Sequence, residues 1–534
     1  MLRAVGDERP VGRGLLAVAR FWPAAVAGLF PVLQVPLAVD AYILPRVTLL
    51  LVAGAVGLIL CGAFGEDLRI SAPKALERPA IAVAAAALLA LAFSISLSTS
   101  LVGEYLRYES AVVRVGYVLL LLVTLWLLAG GSTVERRRVL SWFLIGCCVA
   151  SLEASWEWIA FRYGLVGGLE RADGNLGNAA LLGVLDAMAA PILLGRVLRG
   201  GRRWAPVLLV VLAGLVASTS RSAWLGALLA GLVVVGLWVP RRHFRWAAAG
   251  SLLVLLAAGA LAAGRLAALN SDPYTLRLAI WERVVPMVAA RPLVGWGEDT
   301  LGLVFGAYAR GLLPGITFDR AHSQLLDLLV AQGLVGLAAA VWFWSAYAIG
   351  MLRGGRWRLE ENGSLLAALL AYLAWAAVNF DWVPATGPLW LLAGVGWSAA
   401  HKPGPSTPSG GRSTRSGALA AGLLAAGLPA VAGAVYFGIL PLAADIAYHA
   451  DQPQQSVRLD PLQARYHRAL GEQLVASGRV AAGAVELRLA GDLGDADATT
   501  WVELGDAERT LGDPAAARAA YSRAKAIDPA ITTP

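Results

Sequence analysis

Thirteen apolar stretches, parted by short polar segments, run through most of the chain. They fall at 15–39, 42–64, 80–97, 111–129, 139–161, 179–194, 205–219, 224–239, 247–264, 325–351, 365–378, 388–400 and 418–440. Most approach the ~20 residues that a helix needs to cross a bilayer. The pattern predicts an all-α polytopic membrane helical bundle of twelve to thirteen crossings. After residue 440 the pattern becomes amphipathic, and a different kind of domain is expected there.

Composition supports this reading. Hydrophobic residues make up 58% of the 534 positions, charged ones 15%, and the mean hydropathy is +0.65, which excludes a soluble globular protein. Cys61, Cys147 and Cys148 lie inside apolar runs, where packing is their expected role. Residues 1–20 carry charges of both signs without a short apolar core and cleavage site, so the first membrane helix is expected to anchor the chain.

The net charge of +8 would suggest nucleic acid in a soluble protein. Its placement says otherwise. The tail after Ala443 has thirteen acids and nine bases, a net of −4, so the rest of the chain carries +12. Segments 1–14, 65–79, 131–138, 196–203, 240–246, 352–358 and 401–415 each hold three or four Lys or Arg, and the short segments between them hold none to two. This alternation places the amino terminus in the cytoplasm. Loop 265–321 and everything after 440 then lie on the other face, and no nucleic-acid partner is expected.

Four divisions follow: 1–400 as the membrane domain with external loop 265–321, 401–417 as a Pro/Gly/Ser-rich cytoplasmic linker, 418–440 as one more membrane helix, and 441–534 as an extracytoplasmic domain. Within the external loop, residues 274–290 have helical spacing, with Arg277 and Trp281 on one face. Trp281 there fits either an interfacial anchor or a platform for a sugar ring.

The tail repeats itself. Residues 464–497 align with 498–531 at a period of 34, pairing Leu470 with Leu504, Gly471 with Gly505, Gly478 with Gly512 and Ala490 with Ala524. The second copy, with Trp501, Leu504, Gly505, Ala517, Tyr521, Ala524 and Pro529, resembles a tetratricopeptide repeat. A leading half-repeat is expected in 443–460. A short α-solenoid of this size is near the minimum that buries its own faces, so docking against the membrane domain or an envelope protein partner is expected.

Three stretches carry candidate chemistry. In 289–336, Pro292, Leu293, Gly295 and Gly297 form an ordered turn, and His322 and Ser323 open a helix that contains Gly333 and Gly336. In 217–224, Ser220, Arg221 and Ser222 lie in a tight loop between two helices. In 170–178, Arg171, Gly174, Gly177 and Asn178 lead into the next. Together these resemble the O-antigen ligase and O-antigen polymerase superfamily of integral membrane glycosyltransferases, with two departures: Ser323 replaces the usual Asn, and Ala179 replaces a usual Pro.

The resemblance implies a GT-C-like bundle in the bacterial inner membrane, its active cavity facing the periplasm. It implies transfer of a glycan from an undecaprenyl-pyrophosphate-type lipid carrier to lipid A core or a similar envelope acceptor. Polymerisation of repeat units and protein O-glycosylation are the alternatives within the superfamily. His322 and Arg221 are the expected catalytic residues, with Arg171, Ser220, Ser222, Arg277, Trp281 and Arg291 expected to bind the pyrophosphate or glycan. Chemically, guanidinium forks suit a diphosphate and an imidazole suits proton transfer. Each has a plainer reading: Arg221 snorkelling to headgroups, Asn178 capping a helix, Asp186 making a structural hydrogen bond inside its helix. No cofactor or metal is expected, since the outer loops show no Cys/His cluster or Asp-x-Asp pair. A flippase would need polar residues at several depths, whereas the charges here collect at one face. Expected partners are the lipid-linked donor, the glycan or lipid A acceptor and the surrounding membrane lipids.

Overall fold

Apolar runs among the described residues fold as helices over most of their length. The structure, a computed structural model, describes residues 10–68, 74–165, 171–239, 250, 273–309, 318–358, 361–400 and 414–534. The membrane helices are α1 (Pro10–Leu29), α2 (Ile43–Ala63), α3 (Lys74–Ala92), α4 (Ala111–Leu128), α5 (Thr133–Arg162), α6 (Ala179–Leu198), α7 (Ala205–Ala217) and α8 (Arg221–Trp238). Two loop helices follow, α9 (Pro273–Ala290) and α10 (Leu301–Tyr308), and then α11 (Gln324–Leu352), α12 (Asn362–Ala376), α13 (Val383–Ala400) and α14 (Thr414–Ala434).

Among the described residues, eight helices are long and apolar enough to cross a membrane, which makes this a multi-pass membrane protein but falls short of the twelve to thirteen crossings expected. The run at 205–219 gives a helix of 13 residues and that at 365–378 one of 15. The first run stops early, because α1 ends at Leu29, ahead of Pro31 and Pro36, whose nitrogens cannot donate. All of the run 247–264 except residue 250, loop residues 265–272 and 310–317, and the linker residues 401–413 lie outside the described residues. Thr414–Gly417, assigned to the linker from composition, is already helical.

The centre of the bundle is α6, 83% buried over its most apolar window. It packs against α5, α7, α8 and α12. Small residues set the spacing, as expected where lipid gives no hydrophobic drive between helices. A Cβ on Gly226 of α8 would stand 2.5 Å from the Ala371 carbonyl of α12, so these two helices meet at backbone distance. Inside α6, Asp186 accepts from Ser151 Oγ at 2.9 Å, the structural bond expected of it. Asn178 caps α6 through the Ala180 amide at 2.8 Å.

The last membrane helix does not stop at 440. It continues through a π-helical turn, Val435–Ile439, into Leu440–His449. There Asp445, fully buried, accepts from Tyr105 Oη at 2.6 Å, Tyr466 Oη at 3.1 Å and the Asp40 amide at 2.7 Å. One carboxylate thus ties two loops of the membrane domain to the tail. After the short helix α15 (Pro453–Leu459), the tail forms two hairpins, α16 (Ala464–Ala476) with α17 (Val480–Asp492) and α18 (Ala498–Thr510) with α19 (Pro514–Ile527). The matched glycines do the same work in each: a Cβ on Gly471 would come 2.8 Å from Leu487 Cγ, and one on Gly505 2.3 Å from Tyr521 Cε1. The hairpins also dock on the membrane domain, where Ser98 Oγ and Thr99 Oγ1 donate to the Leu493 carbonyl at 2.6 and 3.1 Å.

Candidate functional site

The first half of α11 ends in a break that explains the glycines of the long signature. Gly333 has φ +64°, and a Cβ there would lie 2.4 Å from the Leu293 carbonyl carbon. Such a break leaves amides and carbonyls without their helical partners. The Pro292–Gly297 turn supplies them. Leu334 N donates to Pro292 O at 2.8 Å and Val335 N to Leu293 O at 3.1 Å, while Val330 O and Ala331 O accept from Trp296 N and Gly297 N at 2.7 and 3.0 Å. Gly295 and Gly297 both need positive φ to make this approach. Loop and helix are therefore one rigid unit, and His322 stands at its mouth.

His322 itself sits at φ +52°, a left-handed conformation that costs a non-glycine residue roughly 1–2 kcal/mol. Its neighbour holds it there. The Ala321 amide donates to Asp327 Oδ1 at 2.8 Å, and the Ala321 carbonyl accepts from Trp281 Nε1 at 2.8 Å. Trp281 thus clamps the turn that presents His322, a role beyond the two weighed from sequence. The imidazole lies edge-on to Phe380, 5.5 Å between centroids. Burial, and then the Arg277 guanidinium, push its pKa down to about 4, so the ring is neutral at physiological pH and able to accept a proton.

Arg171 is held by the Ser-Arg-Ser loop. Its Nε donates to Thr219 Oγ1 at 2.9 Å and its Nη2 to the Ser218 carbonyl at 3.2 Å. The stretch that carries it is pinned from three sides: Glu157 accepts from the Gly174 amide at 2.9 Å, and Asn175 meets Arg46 Nη2 at 2.9 Å and the Val32 carbonyl at 3.3 Å. Partial burial, followed by the charges of Arg221 and Arg277, pulls the Arg171 guanidinium below its ordinary value. Arg277 acts on both Arg171 and His322. Arg171 and His322 therefore share Arg277 as a neighbouring charge, and Arg221 acts on Arg171. A second path runs through contacts, since Ser222 Oγ accepts from Asn379 Nδ2 at 3.0 Å and the adjacent Phe380 meets His322.

Other expected residues stand elsewhere. Arg291 stacks 4.5 Å from the Trp296 ring and donates to the Phe93 carbonyl at 3.2 Å. Ser220 is buried at the start of α8, its amide donating to Ser218 Oγ.

A layer of paired charges underlies the site, and sequence reasoning missed most of it. Arg320 pairs with Asp299 and Arg107 with Asp319. Arg114 pairs with Asp381 at 2.5 Å and lies 3.6 Å from both Glu109 and Glu298. Asp299 Oδ2 also accepts the amides of Glu104 and Glu109, each at 2.9 Å. Arg107 and Arg320 both face the Phe380 ring at 5.5 Å, so the aromatic beside His322 is flanked by two cations. Burial and then the Asp319 charge push Glu104 up to about 8. That carboxyl lines a cavity of about 510 Å³ between the 102–106 loop and the tail hairpins. The signal available in sequence was the density of charge in short outer loops, which marks a polar layer without saying who pairs with whom.

Residues 206–341 match a family model, O-Antigen ligase (Wzy_C). The chain carries an O-antigen ligase domain. That family is one of membrane glycosyltransferases, and its members act on lipid-linked glycans. The matched segment of this O-antigen ligase domain runs from α7 through the Gly333 break and contains Arg221, Arg277, Trp281 and His322. Arg171 lies outside the match and is acted on by Arg221 and Arg277 from within it. No curated protein matches the chain in sequence.

Proposed function

We propose that the protein transfers a glycan from a polyprenyl-pyrophosphate carrier to an acceptor hydroxyl of the cell envelope, with lipid A core as the leading acceptor class. The observation that carries this is that Arg277 acts on both a neutral His322 and Arg171, and Arg221 on Arg171, within and beside the matched domain. In the transfer step the acceptor oxygen bonds to the anomeric carbon, and the bond from that carbon to the phosphate oxygen breaks with its electron pair. The leaving pyrophosphate gains charge, which fixed guanidiniums near a low-dielectric medium offset without reorganising. The hydroxyl proton passes to the His322 ring. Arg221 and His322 are the catalytic residues in this reading; Trp281 is a positioning residue.

Orientation follows the same reading. The Lys/Arg-rich segments 131–138, 196–203 and 352–358 border α5, α6, α11 and α12 at the ends away from His322, and positive-inside bias makes that end cytoplasmic. The site and the tail hairpins, which we read as tetratricopeptide repeats of period 34, then face the periplasm. Purified protein incubated with an isolated lipid-linked glycan and lipid A core tests the reading. Wild type should move the glycan to the core; Arg221→Ala and His322→Ala should each lose about 10²–10³ in rate while inserting normally. Wild-type rates in both variants would remove the assignment, and a lengthened lipid-linked glycan would indicate polymerisation.

A further inference from the structure

At the opposite end of α6 from Arg171 lies a cavity of about 550 Å³ whose walls include Arg137, Arg196, Arg199, Arg202, Arg203 and Glu361. Its walls hold five guanidiniums and one carboxylate. Glu361 is engaged by Arg196, with Nε to Oε1 at 2.9 Å and Nη2 to Oε2 at 3.1 Å, and stands 3.7 Å from Arg199. Arg137, Arg202 and Arg203 are exposed at the mouth. Burial lowers the Arg199 pKa, Glu361 opposes this, and the charges of Arg137 and Arg196 lower it further, the mark of like charges held close. The volume is in the range of small-ligand sites. So strong an excess of one sign in a concave wall favours an anion, and planar guanidinium forks match phosphate geometry.

Depth narrows the choice. The 20 residues of α6 span ~30 Å, the thickness of a bilayer's hydrocarbon. A cavity at the far end of that helix is therefore level with lipid headgroups. Trp204 in its wall stacks on Arg196 at 4.5 Å and Trp238 on Arg199 at 5.0 Å, the aromatic setting usual at a membrane interface. We propose that this cavity binds a phosphate group, carried by an anionic phospholipid that reaches it from the surrounding leaflet. The site is separate from the His322 cluster and does not depend on the glycan-transfer reading.

The test uses the full chain in nanodiscs of phosphatidylcholine with a minor share of phosphatidylglycerol, followed by native mass spectrometry. Wild type should retain phosphatidylglycerol over phosphatidylcholine, and Arg202→Gln/Arg203→Gln should weaken that preference by about tenfold. The charge-matched Arg138→Gln/Arg353→Gln, outside the cavity wall, should keep it. A second arm adds inorganic phosphate to pure phosphatidylcholine nanodiscs and follows thermal unfolding. A stabilisation there that the Arg202/Arg203 variant loses, without lipid preference, would support the phosphate site with the ligand coming from solution. Absence of both effects, or an equal loss in the two double variants, overturns the proposal.

Discussion

The two ends of α6 use arginine in opposite ways. At one end Arg196 is buried, its fork closed on the Glu361 carboxylate. Just beyond the other end Arg171 is exposed and donates to neutral oxygens, the Thr219 hydroxyl and the Ser218 carbonyl. Both side chains are fixed in place, but only the second is fixed by contacts that leave its charge uncompensated. An arginine matched to a carboxylate in low dielectric is a structural group, because its charge is already answered. One oriented by neutral acceptors keeps its field for a ligand. The Arg107, Arg114 and Arg320 layer belongs with the first kind, each guanidinium having a carboxylate partner.

The largest effect expected from this contrast is at the paired end. Glu361→Ala leaves the Arg196 guanidinium buried without its partner, and breaking a buried pair costs about 3–5 kcal/mol. Thermal unfolding of the purified variant should show a large loss, with any fall in glycan transfer tracking the loss of folded protein. Arg171→Ala should behave the other way round. It removes three hydrogen bonds to two neutral oxygens at an exposed position, so stability should change by about 1 kcal/mol or less. Transfer should fall by about 10–100-fold, as for removal of one charged contact to a phosphate. If Arg171→Ala unfolds the protein while transfer per folded molecule is unchanged, the contrast between the two ends is wrong.

Much of this was legible along the chain. Apolar runs marked most of the membrane helices, the period of 34 marked both hairpins, and Gly295 and Gly297 marked a tight turn. What stayed hidden depended on segments far apart in sequence. Gly333 lies inside an apolar run that reads as continuous helix, and the break is revealed by the Pro292 and Leu293 carbonyls that pair across it. Asp445 looks like a stray acid at the end of a membrane run, yet it joins Asp40, Tyr105 and Tyr466. Arg291 was expected to bind the pyrophosphate or glycan and Arg320 was not singled out; packing sent the first to Trp296 and the second to Asp299. Hydropathy specifies which segments are buried, and pairing of charge is settled by which loops the bundle brings together.

The smallest expected effect concerns protons. An ordinary imidazole titrates near ~6.5 and would give an acid limb across the physiological range, whereas His322 is held down to about 4 by burial and the Arg277 charge. The kcat/KM of wild type, which reports the free enzyme, should therefore change by less than about twofold from about pH 5.5 to about pH 8. Arg277→Ala removes a positive neighbour, which favours the protonated ring and raises its pKa toward the ordinary value. In that variant the ratio of kcat/KM at about pH 5.5 to that at about pH 7.5 should drop, on top of a pH-independent loss from the missing phosphate contact. A variant whose profile stays flat would mean that the cation cluster does not act on His322, and the link between the two halves of the site would be gone.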